Sequence, residues 1–281
     1  MVLEPVVEMS DWMPLDTGLE DGQRICAVGD VHGCSRQFLR LLDDLESRNA
    51  EYDTNVLVLM GDYIDRGPDS LGAVDAAISA AHRSFDSFHP LMGNHEQLMR
   101  IALRAGPGDS QRLWLENGGD SVLQELGIPY GISEAEPDVF SAEVGEAWGP
   151  ERTSFLNSIF HHRTFGNLLF VHAGINQEVT LEEHLAQPWD LLVEKHWVWI
   201  RNPFLYEPTG LDPITVVHGH TPAFILNYAI PRTDLIALHG PRDGRMNLDA
   251  GCFESGRLAA GEFVKDSCRV VTRYEEKKRE R

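Results

Sequence analysis

The chain predicts an α/β fold in which a sheet built from crossover units is joined by a second sheet layer. Three observations carry this expectation. Apolar runs alternate with helically spaced segments in the N-terminal part, glycine-linked polar fragments follow the apolar runs directly, and shorter runs separated by turn residues return later. Alternating strands and helices build sheets by crossover connections, and such sheets gather ligand groups at the carboxyl ends of their strands.

Met1–Asp21 is rich in Asp and Glu, carries Pro5 and Pro14, and has no clean period, so it reads as an arm or loop. Arg24–Gly29 is the first core strand, and Ser35 is placed to cap a helix whose apolar positions Phe38, Leu39, Leu42 and Leu45 repeat at helical spacing. Val56–Met60 is a second buried strand. Asp69-Ser70 then opens an alanine-rich helix marked by Leu71, Val74, Ala77, Ile78 and Ala81. Pro90–Met92 is a short third strand, followed by a helix through Gln97, Leu98, Ile101 and Leu103.

The pattern changes between Gly106 and Phe165. A helix with Leu113, Trp114, Val122 and Leu126 is interrupted by Asn117-Gly118-Gly119, and a Pro/Glu-rich stretch follows. This insertion, 106–165, has two readings: a cap over the site, or packing against the sheet edge. Strand signals return at Asn167–Val171, Ile214–Val217, Arg245–Leu248, Leu258–Val264 and Arg269–Arg273, which read as antiparallel strands of the second layer. Glu275–Arg281 is a charge run expected as a frayed helix end or solvated tail. There is no internal repeat and no linker, so 1–281 is expected to form a single domain.

Composition narrows the function classes. With 281 residues, 42% of them hydrophobic, the chain can bury a large core. No apolar run approaches the roughly 20 residues of a membrane helix. The N-terminus lacks the basic and apolar regions of a secretory signal, so cytoplasmic residence is the expectation. Cys26, Cys34, Cys252 and Cys268 form no CxxC pair or disulfide framework and read as buried thiols. A formal net charge of −20, with no basic stripe before the tail, excludes a nucleic acid or an anionic membrane as partner.

Five fragments carry the chemistry: Gly29-Asp30-Val31-His32-Gly33, Gly61-Asp62-Tyr63-Ile64-Asp65-Arg66-Gly67, Gly93-Asn94-His95-Glu96, Val171-His172-Ala173-Gly174 and His218-Gly219-His220-Thr221. Singly, each has an ordinary explanation, since Gly-Asp is common in turns and a lone histidine after a strand is usually a hydrogen-bonded structural residue. Four follow apolar strand runs and the third follows a shorter Pro-Leu-Met run, so their side chains are expected to converge on one sheet edge.

These fragments resemble the metallophosphoesterase superfamily, and more closely its phosphoprotein phosphatase (PPP) branch with the bacterial and phage lambda-type serine/threonine phosphatases. The matching motifs run from about Ile25 to Cys252. The resemblance implies a four-layer β-sandwich of two mixed sheets flanked by helices. It implies two divalent metal ions, with manganese first and iron or zinc as alternatives. Asp30, His32 and Asp62 would hold one ion, and Asp62, Asn94, His172 and His220 the other, so that Asp62 bridges. A carboxylate can span ions about 3.5–4 Å apart, and mixed imidazole and oxygen donors suit manganese, iron or zinc. A hydroxide between the ions would attack phosphorus in line. Its charge and those of Asp30 and Asp62 leave about one positive charge, an anion-attracting hollow on an acidic body.

By the same resemblance His95 is the general acid, oriented by Asp65, which would raise its pKa and keep it protonated. Arg66 would grip phosphate oxygens through its fork of donors, and Arg201, in Trp199-Ile200-Arg201, would add a second grip. Trp197 and Trp199 read as core. His218 is expected behind the ligands, hydrogen-bonded to one of them, and Asp249 is expected to be structural.

The function so implied is hydrolysis of phosphate monoesters, with a phosphorylated protein (phosphoserine, phosphothreonine or phosphotyrosine) or a small phosphoester as substrate. Two alternatives stand beside it. One is a symmetrical bis(5'-nucleosyl)-tetraphosphatase, whose group usually departs from Asp in the Asp-Arg-Gly step and carries Gly-Asn-His-Asp where this chain has Asp65 and Glu96. The other is a regulatory scaffold that binds a phosphorylated partner.

Overall fold

The computed structural model describes residues 3–105, 108–129, 137–226 and 236–277. The chain opens with strands β1 (Leu3–Met9), β2 (Met13–Pro14) and β3 (Gln23–Val28), then helix α1 (Ser35–Glu46) and strand β4 (Thr54–Leu59). Helix α2 (Ser70–Ala80), strand β5 (Ser87–Pro90) and helix α3 (Asn94–Ala105) follow. The insertion holds helices α4 (Asp109–Trp114), α5 (Asp120–Glu125), α6 (Pro137–Trp148) and α7 (Pro150–Ser158). Beyond it come strands β6 (His162–Phe165) and β7 (Leu168–Val171), helix α8 (Leu181–Leu185), and strands β8 (Thr215–His218) and β9 (Arg245–Asn247). The described chain ends with helix α9 (Cys252–Ser255) and strands β10 (Leu258–Val264) and β11 (Ser267–Lys277).

Two mixed sheets result. The larger runs β1-β11-β10-β3-β4-β5, with β2 on β11, and the smaller runs β6-β7-β8-β9. Strands β3, β4 and β5 are parallel, as are β7, β8 and β9. Within β3, Ile25 and Ala27 point into an apolar cluster shared with Phe170, Val217 and Met246 of the facing sheet, whereas Cys26 and Val28 point to the opposite face, against Phe38 and Leu42 of α1. The alternation of successive side chains across a strand thus produces the four layers, helices on sheet on sheet on helices.

Four expectations are corrected. The N-terminal stretch is not an arm throughout, since Leu3–Met9 pairs antiparallel with β11, from Leu3 opposite Lys277 to Met9 opposite Val271. For the same reason the C-terminal charge run continues a strand as far as Lys277 rather than fraying from a helix. The later strands are not one antiparallel layer. β7, β8 and β9 run parallel in the second sheet, while β10 and β11 return antiparallel to the first. Ser35 also begins α1 without capping it, its Oγ donating instead to Asp69, which itself caps α2 by accepting from the Gly72 amide.

The insertion packs beside the helical layer of the larger sheet. Arg152 of α7 forks onto Asp75 of α2 through two contacts of 2.7 Å, and the Glu125 carboxylate at the end of α5 accepts the Ser70 and Leu71 amides at 2.7 and 2.9 Å.

Candidate metal centre

Parallel alignment of β3, β4 and β5, and of β7 and β8, brings all five fragments to one edge of the sandwich. The loops are stitched together by backbone bonds, the Asp62 carbonyl accepting from the Val31 and His32 amides and the His172 carbonyl from the Gly219 amide. The backbone there is unusual. His32, Asp62, Asp65, Arg66 and His220 all have positive φ, between 42° and 71°, a region that L-residues occupy at a cost. Two glycines make the approach feasible: a Cβ on Gly93 would lie 2.0 Å from Asp62 Oδ1, and one on Gly219 would lie 1.9 Å from Asp30 Oδ1.

Asp62 sits between two groups of donors, one with His32 and His95 and one with His172 and His220, each group within 4.8 Å. His32 Nε2 and His172 Nε2 both lie 3.4 Å from Asp62 Oδ2. Asn94 Oδ1 is 3.2 Å from His172 Nε2 and 2.8 Å from His220 Nδ1. Asp30 joins through Oδ2, which accepts the His220 amide at 2.8 Å.

The chemistry of this donor set fits metal ions. His32 Nδ1–H donates to the Ile64 carbonyl at 2.9 Å and His172 Nδ1–H to the Met60 carbonyl at 2.8 Å, which leaves each Nε2 lone pair facing inward. Asp30 Oδ1 and His220 Nε2 are buried with no hydrogen-bond partner. Electrostatics points the same way. Burial opposes charge on Asp62, but His172 and His95 hold its carboxyl well below the usual range. Burial would likewise lower His172, yet the Asp62 carboxylate lifts it to about 10. The buried carboxylate demands positive charge beside it, which metal ions at this centre would supply.

Beside this centre lies a second arrangement. His95 Nδ1 is 2.7 Å from Asp65 Oδ2, and His95 Nε2 is buried without a partner, 3.9 Å from Asp62 Oδ2. Burial dominates the pair, pushing the His95 imidazolium down to about 3 and holding the Asp65 carboxyl well above its usual range. Asp65 fixes the orientation of the imidazole, with Nδ1 toward the carboxyl and Nε2 toward Asp62.

Arg66 Nη1 is 3.2 Å from His32 Nε2. Arg201 is exposed, and its charge reaches Asp62 and Arg66. With Leu113, Asn117, Leu192, Val193, Glu194 and Trp199 it lines an open, mostly apolar hollow of about 390 Å³. Trp197 is core, as expected, but half-buried Trp199 stands edge-on to His220, ring centres 6.0 Å apart, and donates its indole N–H to Gln97 at 2.6 Å. His218 is buried behind the centre, where it meets the Gly219 carbonyl at 3.1 Å and the Phe204 ring rather than a ligand. Asp249, expected to be structural, accepts the Gly251 amide at 2.7 Å.

Two residues were given no part in building the site by sequence reasoning. The Glu96 carboxylate accepts the amides of Asp62, Tyr63 and Gly93 at 2.9, 2.8 and 2.9 Å, fastening the loop that carries Asp62. The signal was its place at the end of Gly-Asn-His-Glu, where an acid on a buried helix face needs donors. Trp114, read as packing, donates its indole N–H to both oxygens of Asp65 at 3.1 Å. A buried tryptophan needs a partner, but the sequence does not name it.

Two mixed sheets thus gather Asp, Asn and His donors at aligned strand ends, an arrangement that fits a metal centre. Residues 23–244 match the family model for calcineurin-like phosphoesterases, and the chain belongs to that family. A serine/threonine-protein phosphatase 1 of Salmonella typhimurium is 39% identical over 98 residues, 35% of this chain and 40% of that protein. A symmetrical bis(5'-nucleosyl)-tetraphosphatase of an Acidovorax species is 30% identical over 169 residues, 57% of this chain and 47% of that protein. The chain thus spans less than half the length of these two curated relatives. A solved cold-active protein-tyrosine phosphatase of a psychrophilic Shewanella shares the fold, with a TM-score of 0.52, 19% identity, and 92% of this chain and 82% of that one covered.

Proposed function

We propose that the protein is a metal-dependent phosphomonoesterase whose substrates are phosphoserine and phosphothreonine in proteins, with phosphotyrosine as an additional substrate. The observation that carries this reading is the buried His95–Asp65 pair, bonded at 2.7 Å, whose Nε2 lies unpartnered 3.9 Å from Asp62. An alkoxide leaving group needs a proton, and a donor held beside the metal centre meets that need.

Asp30, His32 and Asp62 would hold one ion, and Asp62, Asn94, His172 and His220 the other. Manganese is the first choice for this mixed oxygen and imidazole set, with iron or zinc next. When bound, the ions supply Lewis acidity and lower the pKa of a water near neutral pH. Arg66 and Arg201 bind the phosphoryl oxygens and orient the ester. His95 Nε2–H passes its proton to the departing oxygen, while Asp65 holds the ring through Nδ1. The acidic body makes this local positive charge the chief attraction for an anionic substrate.

A second reading, hydrolysis of dinucleoside tetraphosphates, is favoured by the 30% identity to the Acidovorax enzyme. Asp65 and Glu96 favour the phosphatase. The test is turnover by the purified, manganese-loaded protein of a phosphoserine peptide, a phosphotyrosine peptide, para-nitrophenyl phosphate and diadenosine tetraphosphate. Faster kcat/KM on phosphopeptides is expected. A preference for the dinucleotide, or no release of phosphate from any peptide, would overturn the reading.

A further inference from the structure

We propose that residues 114–119 of the insertion are a positioning device for both the proton donor and the phosphate grip, Trp114 holding Asp65 and the turn after it holding Arg66. The inference rests on the acid role given to His95 above and extends it to a segment outside the five motifs.

The indole N–H of Trp114 bisects the Asp65 carboxylate, 3.1 Å from each oxygen, while the Asp65 amide donates to Ser70 Oγ at 3.1 Å. Asp65, Trp114 and His95 are all fully buried, so no water replaces these bonds. With both ends fixed, the carboxylate has one open direction, toward His95 Nδ1. An N–H bond to a carboxyl is stronger when the acceptor is charged, so the Trp114 N–H favours the charged form of Asp65 beside His95 Nδ1.

The backbone after Trp114 serves the neighbouring residue. Leu115–Gly119 is a kink joining α4 to α5, with Gly118 outside helical geometry at φ 111°. This kink turns the Asn117 and Gly118 carbonyls toward Arg66, the latter also accepting the Ser121 hydroxyl at 2.8 Å. The Gly118 carbonyl accepts the Arg66 amide at 3.2 Å and the Asn117 carbonyl accepts Arg66 Nε at 3.4 Å. The two glycines are required by proximity. A Cβ on Gly118 would meet Arg66 Cγ at 2.7 Å, and one on Gly119 would meet the Trp114 ring at 2.5 Å. An ordinary α-helical junction with larger residues would break both contacts.

A tryptophan that only fills space would, when replaced, lower stability and slow every substrate alike. Trp114→Phe keeps most of the ring and removes the N–H. The expected result is a split by leaving group. Turnover of a phosphoserine peptide falls about tenfold or more, while para-nitrophenyl phosphate, whose phenolate departs unprotonated, changes by less than about threefold. Should Trp114→Phe not fold, benzothienylalanine at position 114, which has the indole shape without the N–H, takes the same measurement. Gly118→Ala should raise the inhibition constant of inorganic phosphate about tenfold with no such split. Equal losses on both substrates at position 114, or none, would overturn the proposal. His95→Asn is the control: a missing split there sinks the acid reading itself, whereas a split there without one at position 114 sinks only this inference.

Discussion

Glu96 reaches across 34 positions to accept the Asp62 amide at 2.9 Å, while its other oxygen accepts the Tyr63 amide at 2.8 Å. Asp62 can adopt its positive φ of 53° because this carboxylate fastens the loop on both sides, through the Gly93 amide as well. Glu96→Gln replaces one acceptor oxygen with an NH2 that faces amide donors. An unsatisfied buried donor costs about 1–3 kcal/mol. The variant is expected to melt lower and to bind manganese about tenfold or more weakly, read by calorimetric titration of the apoprotein. Unchanged metal affinity would separate Glu96 from the metal centre.

Arg66 Nη1 lies 3.2 Å from His32 Nε2, the lone pair proposed to take a metal. The hydrogen bond and the ion compete for the same electrons, so removing the guanidinium does not weaken metal binding. Arg66→Ala is expected to lower kcat/KM about 10–100-fold, the worth of charged hydrogen bonds to phosphate, with metal content unchanged. Elemental analysis alongside phosphatase assays checks this, and loss of the ions with the arginine would contradict the assignment.

Most of the fold was legible because its central strands are buried on both faces. The strands read at Arg24–Gly29, Val56–Met60 and Asn167–Val171 each carry a continuous apolar run, and the proposed ligands follow them. Edge strands lack that signature. Leu3–Met9 contains Pro5 and two glutamates and pairs with a strand more than 250 residues away, so nothing local announced it. Strand direction was equally silent, since a turn residue marks where a strand stops and not which way its neighbour runs. The proposed ligand positions could be read from short motifs, whereas Trp114 acts across 49 positions and looks like packing until its N–H is followed to Asp65.

The formal charge of −20 makes salt a probe of substrate approach. Surface charges more than about 8–10 Å apart are screened at physiological ionic strength, whereas the buried centre is not. Raising salt from low to physiological levels is therefore expected to increase kcat/KM for an acidic phosphopeptide more than for a basic one. Stopped or steady-state assays of the two peptides across a salt series check it. A decrease for the acidic peptide would mean that attraction by Arg66, Arg201 and the metals outweighs repulsion by the body.

His239 gives stability a pH dependence that does not involve catalysis. It is buried behind β9, where its Nδ1–H donates to the Asn247 carbonyl at 2.8 Å, and burial lowers its pKa from 6.5 to about 4. The unfolded chain therefore takes up this proton more readily than the folded one. The contribution is fully present above pH 6.5 and is lost as pH falls toward 4, and it is worth on the order of 3 kcal/mol when complete. The melting temperature of the apoprotein is expected to fall steeply from pH 6.5 to 4.5. Replacing His239 with Gln, which keeps a donor for Asn247 but cannot titrate there, should flatten that slope. A variant that melts with the same pH dependence as the parent would show that other buried histidines carry the effect.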